Sequence, residues 1–182
     1  MSEPPSPTRP ADTGAGVVVA IADEQSDHAI DTDRWAHLAE LALVHQGITH
    51  GELTVTFVDE STMAELNAAH MGADGPTDVL SFPLDAGLAA DDLPTDAAPV
   101  LLGDVVICPA VAAGNAPGRP GTEPHPGHPS HDGGLDDELA LLVVHGVLHV
   151  AGHDHAEPGE AEAMWAAERQ VLAAAPRKVP PS

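Results

Sequence analysis

Four histidines fall within eleven residues near the C-terminal end: His145-Gly-Val-Leu-His149-Val-Ala-Gly152-His153-Asp154-His155. In a helix, residues i and i+4 share a face, so His145 and His149 can aim their rings at one point. Gly152 can take the left-handed backbone that ends a helix and reverses the chain. His155, three residues further on, would then complete a face of three nitrogens around one metal ion, with the fourth position left for water. Zinc held by three protein ligands lowers the pKa of that water toward about 7, which is the chemistry of hydrolysis.

Chance does not supply such a pattern readily. With 12 histidines in 182 residues, about one i,i+4 pair is expected at random. Requiring a Gly at +7 and a third His at +10 lowers that expectation to about 0.005. Two imidazoles inside an otherwise apolar helix also need compensation, and a shared ion compensates them better than scattered carbonyls. The spacing H-x-x-x-H-x-x-G-x-x-H is that of the metzincin proteases too. Those place a Glu directly after the first His, as the general base. Here that position is Gly146, which costs roughly 1 kcal/mol against Ala within a helix and brings no carboxylate.

The elements that must position these residues are readable from periodicity. Residues 138–150 are apolar nearly all round, as in a helix buried on every side. Pro158 opens a last helix with Met164, Trp165 and Leu172 facing inward. Val17 to Ala22, Leu53 to Val58, Asp78 to Phe82 and Leu102 to Ile107 are runs of strand length. Thr32 to His45 repeats Trp35, Leu38 and Leu41 or Ala42 at helical spacing, with Gly47 as a stop. Asp59 caps a further helix that carries Met63 and Leu66 and ends near Gly72. The expected fold is α+β: about four strands in one sheet, helices packed over it, and a metal-binding helix–turn near the C-terminus.

One domain is expected over residues 17–175, flanked by disordered tails at 1–16 and 176–182 that are rich in proline and small polar residues. Within it, about 114–134 is a Pro/Gly-rich insertion that breaks any regular ladder. His125, His128 and His131 recur there every third residue and read as part of a flexible polar tract rather than a second metal site. A lone cysteine, Cys108, excludes an internal disulfide, fits a reducing compartment, and reads as a buried small hydrophobe. The first fifteen residues hold no apolar stretch that would serve as a signal peptide. The longest apolar segment, residues 139–152, is too short to span a bilayer. A cytoplasmic protein without a membrane partner is expected.

Charge limits the partners. Six basic residues stand against 29 acidic ones, for a net charge of −23. Only Arg34, Arg119 and Arg169 fall between 17 and 172, against 27 acidic residues, so that region carries about 3 − 27 = −24. Such a chain does not hold nucleic acid mainly by its own basic surface.

The sequence resembles the YbeY family, bacterial metal-dependent endoribonucleases of rRNA maturation and ribosome quality control. Residues His145 to His155 match the family signature H-G-x-L-H-x-x-G-[YH]-D-H throughout. Leu66-Asn67 with Gly75-Pro-Thr-Asp-Val-Leu-Ser-Phe-Pro83 matches a second block, and Leu102-Gly-Asp-Val-Val-Ile-Cys-Pro109 a third. The resemblance implies a zinc-dependent endoribonuclease specific for single strands, acting at the 3′ end of 16S rRNA, with His145, His149 and His155 as the zinc ligands. Its partners would be rRNA in the small ribosomal subunit and a basic ribosomal protein that offsets the charge. Asp78, Ser81 and Asp104, in the second and third blocks, are candidates to line the cleft, and equally fit as turn and strand-edge residues. His153 stands where relatives often have Tyr, and is expected to face out of the turn. Asp154 either orients a ligand or shapes that turn. Met71 replaces an Arg that many relatives carry, and Ala110 a Glu. Two other readings compete: a ribosome-assembly factor with structural zinc, and a metallopeptidase-like hydrolase.

Overall fold

Local signals set most element boundaries. In the computed structural model, which describes residues 16–84, 100–116 and 134–175, the order is β1 (Val17–Asp23), α1 (Thr32–His45), β2 (Gly51–Phe57), α2 (Glu60–Met71), β3 (Val79–Pro83), β4 (Leu101–Ile107), α3 (Pro109–Asn115), α4 (Leu135–Val150) and α5 (Pro158–Ala174). The expected tails, Gly16 apart, lie outside the described residues, as does the insertion from 117 to 133 with His125, His128 and His131. The Asp31 side chain accepts from Arg34 N at 3.1 Å to open α1, and Asp59 accepts from Thr62 N at 2.8 Å to open α2. Gly72 closes α2 at φ 63°, the left-handed geometry that disfavours a Cβ.

The four strands form one sheet in the order β1-β2-β4-β3. β1, β2 and β4 run parallel, and β3 pairs antiparallel with β4 at the edge. β2 alternates buried and half-buried positions, whereas β4, covered on both faces, is buried at nearly every residue from Leu102 on. One face carries the main core, where Leu53, Val55, Val105 and Ile107 of the sheet meet Trp35, Leu38 and Leu43 of α1, Val143, Val144 and Val147 of α4, and Met164 and Val171 of α5. The opposite face holds a smaller core of Val58, Met63, Leu80, Val106 and Cys108. Cys108 is fully buried there, and burial pushes its thiol pKa up.

Three features differ from expectation. α3 is an additional helix, and it takes Gly114 and Asn115 out of the insertion. Seven residues give too short a stretch for a period to show, although Pro109 at the first turn marks its start. α4 begins at Leu135, one turn earlier than residue 138, with Asp136, Asp137 and Glu138 at the positive end of the helix dipole. On α5, Met164 is buried as expected, but Trp165 and Leu172 are only half-buried.

Candidate metal centre

α4 brings the site together. It lies against β3 and β4 and packs on α1, α3 and α5, so its histidines are held on a rigid, buried element. His145 Nε2 and His149 Nε2 are 3.1 Å apart. Past α4, the backbone folds back: Gly152 N donates to the His149 carbonyl at 3.0 Å, His153 N donates to that of Leu148 at 2.9 Å, and Gly152 has φ 101°. That turn returns His155 to the same point, so one ligand atom from each of His145, His149 and His155 lies within 4.8 Å of the others. His145 and His149 are half-buried and His155 is exposed. The three imidazoles converge as their spacing implies.

Hydrogen bonds decide which nitrogens are free for an ion. His145 Nδ1 lies 2.6 Å from Oε1 of Glu168, a fully buried residue of α5. His149 Nδ1 lies 2.9 Å from the carbonyl oxygen of His153. Carboxylate and carbonyl oxygens accept, so each Nδ1 donates and each Nε2 is left directed at the cluster. Two ring nitrogens this close share either a proton or a cation. Zinc–nitrogen bonds of about 2.0–2.1 Å at a tetrahedral angle place two ligand nitrogens about 3.3 Å apart, close to the separation here. Burial, helped by the neighbouring His145 and His155, holds the His149 pKa below the usual histidine range and so favours the neutral, ligating form. The donor set fits a divalent ion of the zinc type.

Glu168 was not foreseen. Its signal is a carboxylate on the inward stripe of α5, four residues after the buried Met164 and three before the buried Val171. His153 also differs from expectation: its ring does not face out of the turn, but is drawn back to α1, where its Nε2 lies 2.6 Å from Gln46 Oε1. Asp154 shapes the turn, accepting from the backbone N–H of His155 at 2.7 Å.

A cleft of about 460 Å³ opens beside the cluster, between the turn and β3. Met71, Val79, Leu80, Ser81 and Pro83 form one wall, and the three histidines with Gly152, His153 and Asp154 form the other. Ser81 therefore faces the cleft, while its hydroxyl donates to the Gly146 carbonyl at 3.2 Å and ties β3 to α4. Asp78 and Asp104 are not among the residues that line it. Asp78 accepts from Val79 N at 2.8 Å and from Asn115 Nδ2 at 3.4 Å, which joins the start of β3 to α3. Asp104 pairs with Phe82 across the ladder, and so shares the face of Phe82, Leu80 and Val106, opposite to α4. Met71 is exposed at the cleft mouth, whereas Ala110 packs against the smaller core.

Gly146 has a steric reason. A Cβ there would lie 2.5 Å from Val105 Cγ1 and 3.3 Å from Ser81 Oγ. The helix approaches the sheet so closely that only glycine fits. A glutamate at this position would have to displace β4, so the metallopeptidase reading loses both its base and the room for one.

Comparison with known proteins gives a consistent result. Residues 20–175 match the family profile described as endoribonuclease YbeY. Endoribonuclease YbeY of Salinispora tropica is 44% identical over 160 residues, covering 85% of this chain and 94% of that protein. The Thermobifida fusca protein of the same description is 42% identical over 147 residues, covering 79% and 84%. Among solved structures, the solution structure of TM1509 from Thermotoga maritima superposes with a TM-score of 0.52 at 24% identity, covering 85% of this chain and 86% of that one. That last likeness concerns the fold alone.

Proposed function

The chain belongs to the YbeY family of endoribonucleases, and from that premise we propose that its histidine-lined cleft cuts single-stranded rRNA with one Zn²⁺ bound by His145, His149 and His155. The protein is an endoribonuclease, a hydrolase of RNA phosphodiester bonds that serves rRNA processing. The single observation that carries the metal assignment is the pair of Nε2 atoms 3.1 Å apart, each ring oriented by a bond at its own Nδ1. When bound, a divalent ion supplies Lewis acidity, activating water and neutralising charge on a phosphoryl oxygen.

The chain's own residues do the rest. Glu168 and the His153 carbonyl hold the Nδ1 protons of His145 and His149, and so keep both rings aimed. The three donors meet at a cleft rather than inside a closed shell, which favours a catalytic over a purely structural ion. Ser81 is the polar candidate on the strand wall, positioned by its bond to Gly146. Asp78 and Asp104 act through the fold, one joining β3 to α3 and the other set on the far face of the sheet.

The 3′ end of 16S rRNA in the small subunit is the proposed target, and the cytoplasm the proposed compartment. Among the described residues no helix is long and apolar enough to cross a membrane. A net charge of −23 opposes binding to naked RNA, so a basic ribosomal protein is proposed to bring substrate and enzyme together. The test is cleavage of a single-stranded rRNA fragment by the chelator-treated protein, before and after Zn²⁺ is restored. Cleavage is expected to return with the metal in the wild type and to stay absent in His149→Ala. Equal cutting by His149→Ala refutes the proposal.

A further inference from the structure

One imidazole in the turn after α4 is not needed as a ligand. His153 is seated on the last turn of α4 by its backbone N–H, which donates to the Leu148 carbonyl at 2.9 Å. Its Nε2 lies 2.6 Å from Oε1 of Gln46, the residue that closes α1. An amide oxygen only accepts, so His153 Nε2 carries a proton and is committed to Gln46 rather than to an ion. The Gln46 amide nitrogen lies 3.3 Å from His45 Nδ1, which orients the amide the same way: nitrogen toward His45, oxygen toward His153. Gln46 is itself anchored, because its backbone N–H bonds the carbonyls of Ala42 and Leu43, and α1 packs directly on α4. His153 is thus pinned at its backbone N–H and at its ring. Its carbonyl oxygen, belonging to the same residue, is the group that accepts from His149 Nδ1 at 2.9 Å.

We propose that Gln46 and His153 form a positioning strap for His149. The Gln46 amide holds the His153 ring, which steadies the His153 carbonyl, and that oxygen keeps the His149 proton on Nδ1 so that Nε2 faces the cluster. Gln46 lies 107 residues from His153 in sequence, so α1, which contributes no ligand, takes part in setting the site. The geometry stands alone; its consequence for metal binding rests on the zinc assignment above. Groups that orient a ligand imidazole typically change metal affinity by 10–100-fold. Gln46 acts one bond further out, so its removal is expected to weaken binding by about three- to tenfold.

The full-length wild type is compared with Gln46→Ala, Gln46→Glu and His153→Ala by two measurements. Long-range nitrogen–proton spectra of the metal-free chains report the His149 tautomer. Nδ1–H is expected in the wild type and in Gln46→Glu, whose carboxylate still accepts, and a mixture of tautomers in Gln46→Ala. His153→Ala keeps the carbonyl but loses the ring, and should show the same mixture. Competition with a chromogenic chelator reports Zn²⁺ affinity, expected to fall in Gln46→Ala and to be rescued in Gln46→Glu, with unchanged melting temperatures. An unaltered His149 tautomer in both alanine variants overturns the strap. If the wild type binds no Zn²⁺, the zinc assignment fails, and the tautomer comparison still decides the strap.

Discussion

The contact between Gly146 and β4 makes a prediction that can be worked from distances. Gly146→Ala adds one methyl to the middle of α4. On helix propensity alone it should stabilise the chain by about 1 kcal/mol. That methyl would sit 2.5 Å from Val105 Cγ1 and 3.2 Å from Val105 Cγ2, well inside van der Waals contact. Val105 is fully buried in a central strand, and its branched Cβ leaves it no easy rotamer to escape to. Overpacking of this kind costs about 1–3 kcal/mol. The net expectation is a loss of up to about 2 kcal/mol, with the sign opposite to propensity.

The Val105→Ala background separates the two terms, because it removes both γ-methyls. There Gly146→Ala should stabilise by about 1 kcal/mol, so the coupling energy is about 1–3 kcal/mol. Urea unfolding of the four chains measures it, with constant slope as the check that only stability has changed. Zinc affinity should fall in the single Gly146→Ala chain alone, because a helix pushed off the sheet shifts His145 away from Glu168, which orients it from α5. If Gly146→Ala stabilises both backgrounds equally, the helix does not press on β4 as described. The argument against a glutamate at this position then goes with it.

Three further predictions address the orienting carboxylate, the cleft mouth and acid stability. Glu168→Ala leaves His145 Nδ1 without its acceptor and should weaken Zn²⁺ by about 10–100-fold in chelator competition, and Glu168→Gln by less; equal affinities would remove Glu168 from the site. Met71→Arg places a cation at the rim of the cleft and should tighten binding to single-stranded RNA. Its dependence on log salt should steepen by roughly 1, measured by fluorescence anisotropy; an unchanged slope would mean that the rim does not meet phosphate. The backbone N–H of Thr62 holds the Asp59 carboxyl below its ordinary value of 3.8. A pKa lower in the folded than in the unfolded chain means stability that is complete above that value and is lost as pH falls through the depressed one. Asp59→Asn keeps an uncharged cap at every pH, so its acid unfolding curve should be flatter below pH 4 than that of the wild type.

How far this fold could be read from the residues depended on how local each signal was. α1 was legible to the residue because the stripe of Trp35, Leu38 and Leu41 or Ala42 and the stop at Gly47 lie close together in the chain, while the Asp31 cap emerged only with the structure. β4 was legible as a strand, but not as one buried on both faces, because that depends on Met63 and Val147 arriving from opposite sides. α3 escaped because seven residues show no period, and its helical state is settled by Ala112 packing into the main core. Asp104 illustrates the limit at the site. Position in the third block made it a candidate for the cleft alongside Ser81, yet antiparallel pairing with Phe82 puts it on the other face of the sheet. One step of register separates a cleft residue from a residue of the other face.

The same distinction explains what was and was not legible in the candidate centre. Its three histidines lie within eleven residues, so helix geometry and one glycine turn suffice to gather them, and spacing carries that information. The groups that choose which nitrogen faces the cluster are Glu168, Gln46 and the His153 carbonyl. The His153 carbonyl comes from the turn itself, four residues after His149, but Glu168 and Gln46 have no spacing rule relative to the histidines, because they arrive by tertiary packing of α5 and α1 on α4. Glycine at 146 belongs to that second class. It reads as an absent carboxylate, but what determines it is the side chain of Val105, 41 residues away and in contact only once the sheet is built. Ligand identity is therefore a property of one segment, whereas ligand orientation belongs to the whole core. Substitutions in α1 or α5 that spare every histidine should accordingly alter metal binding, while substitutions on the outer face of β1 should not.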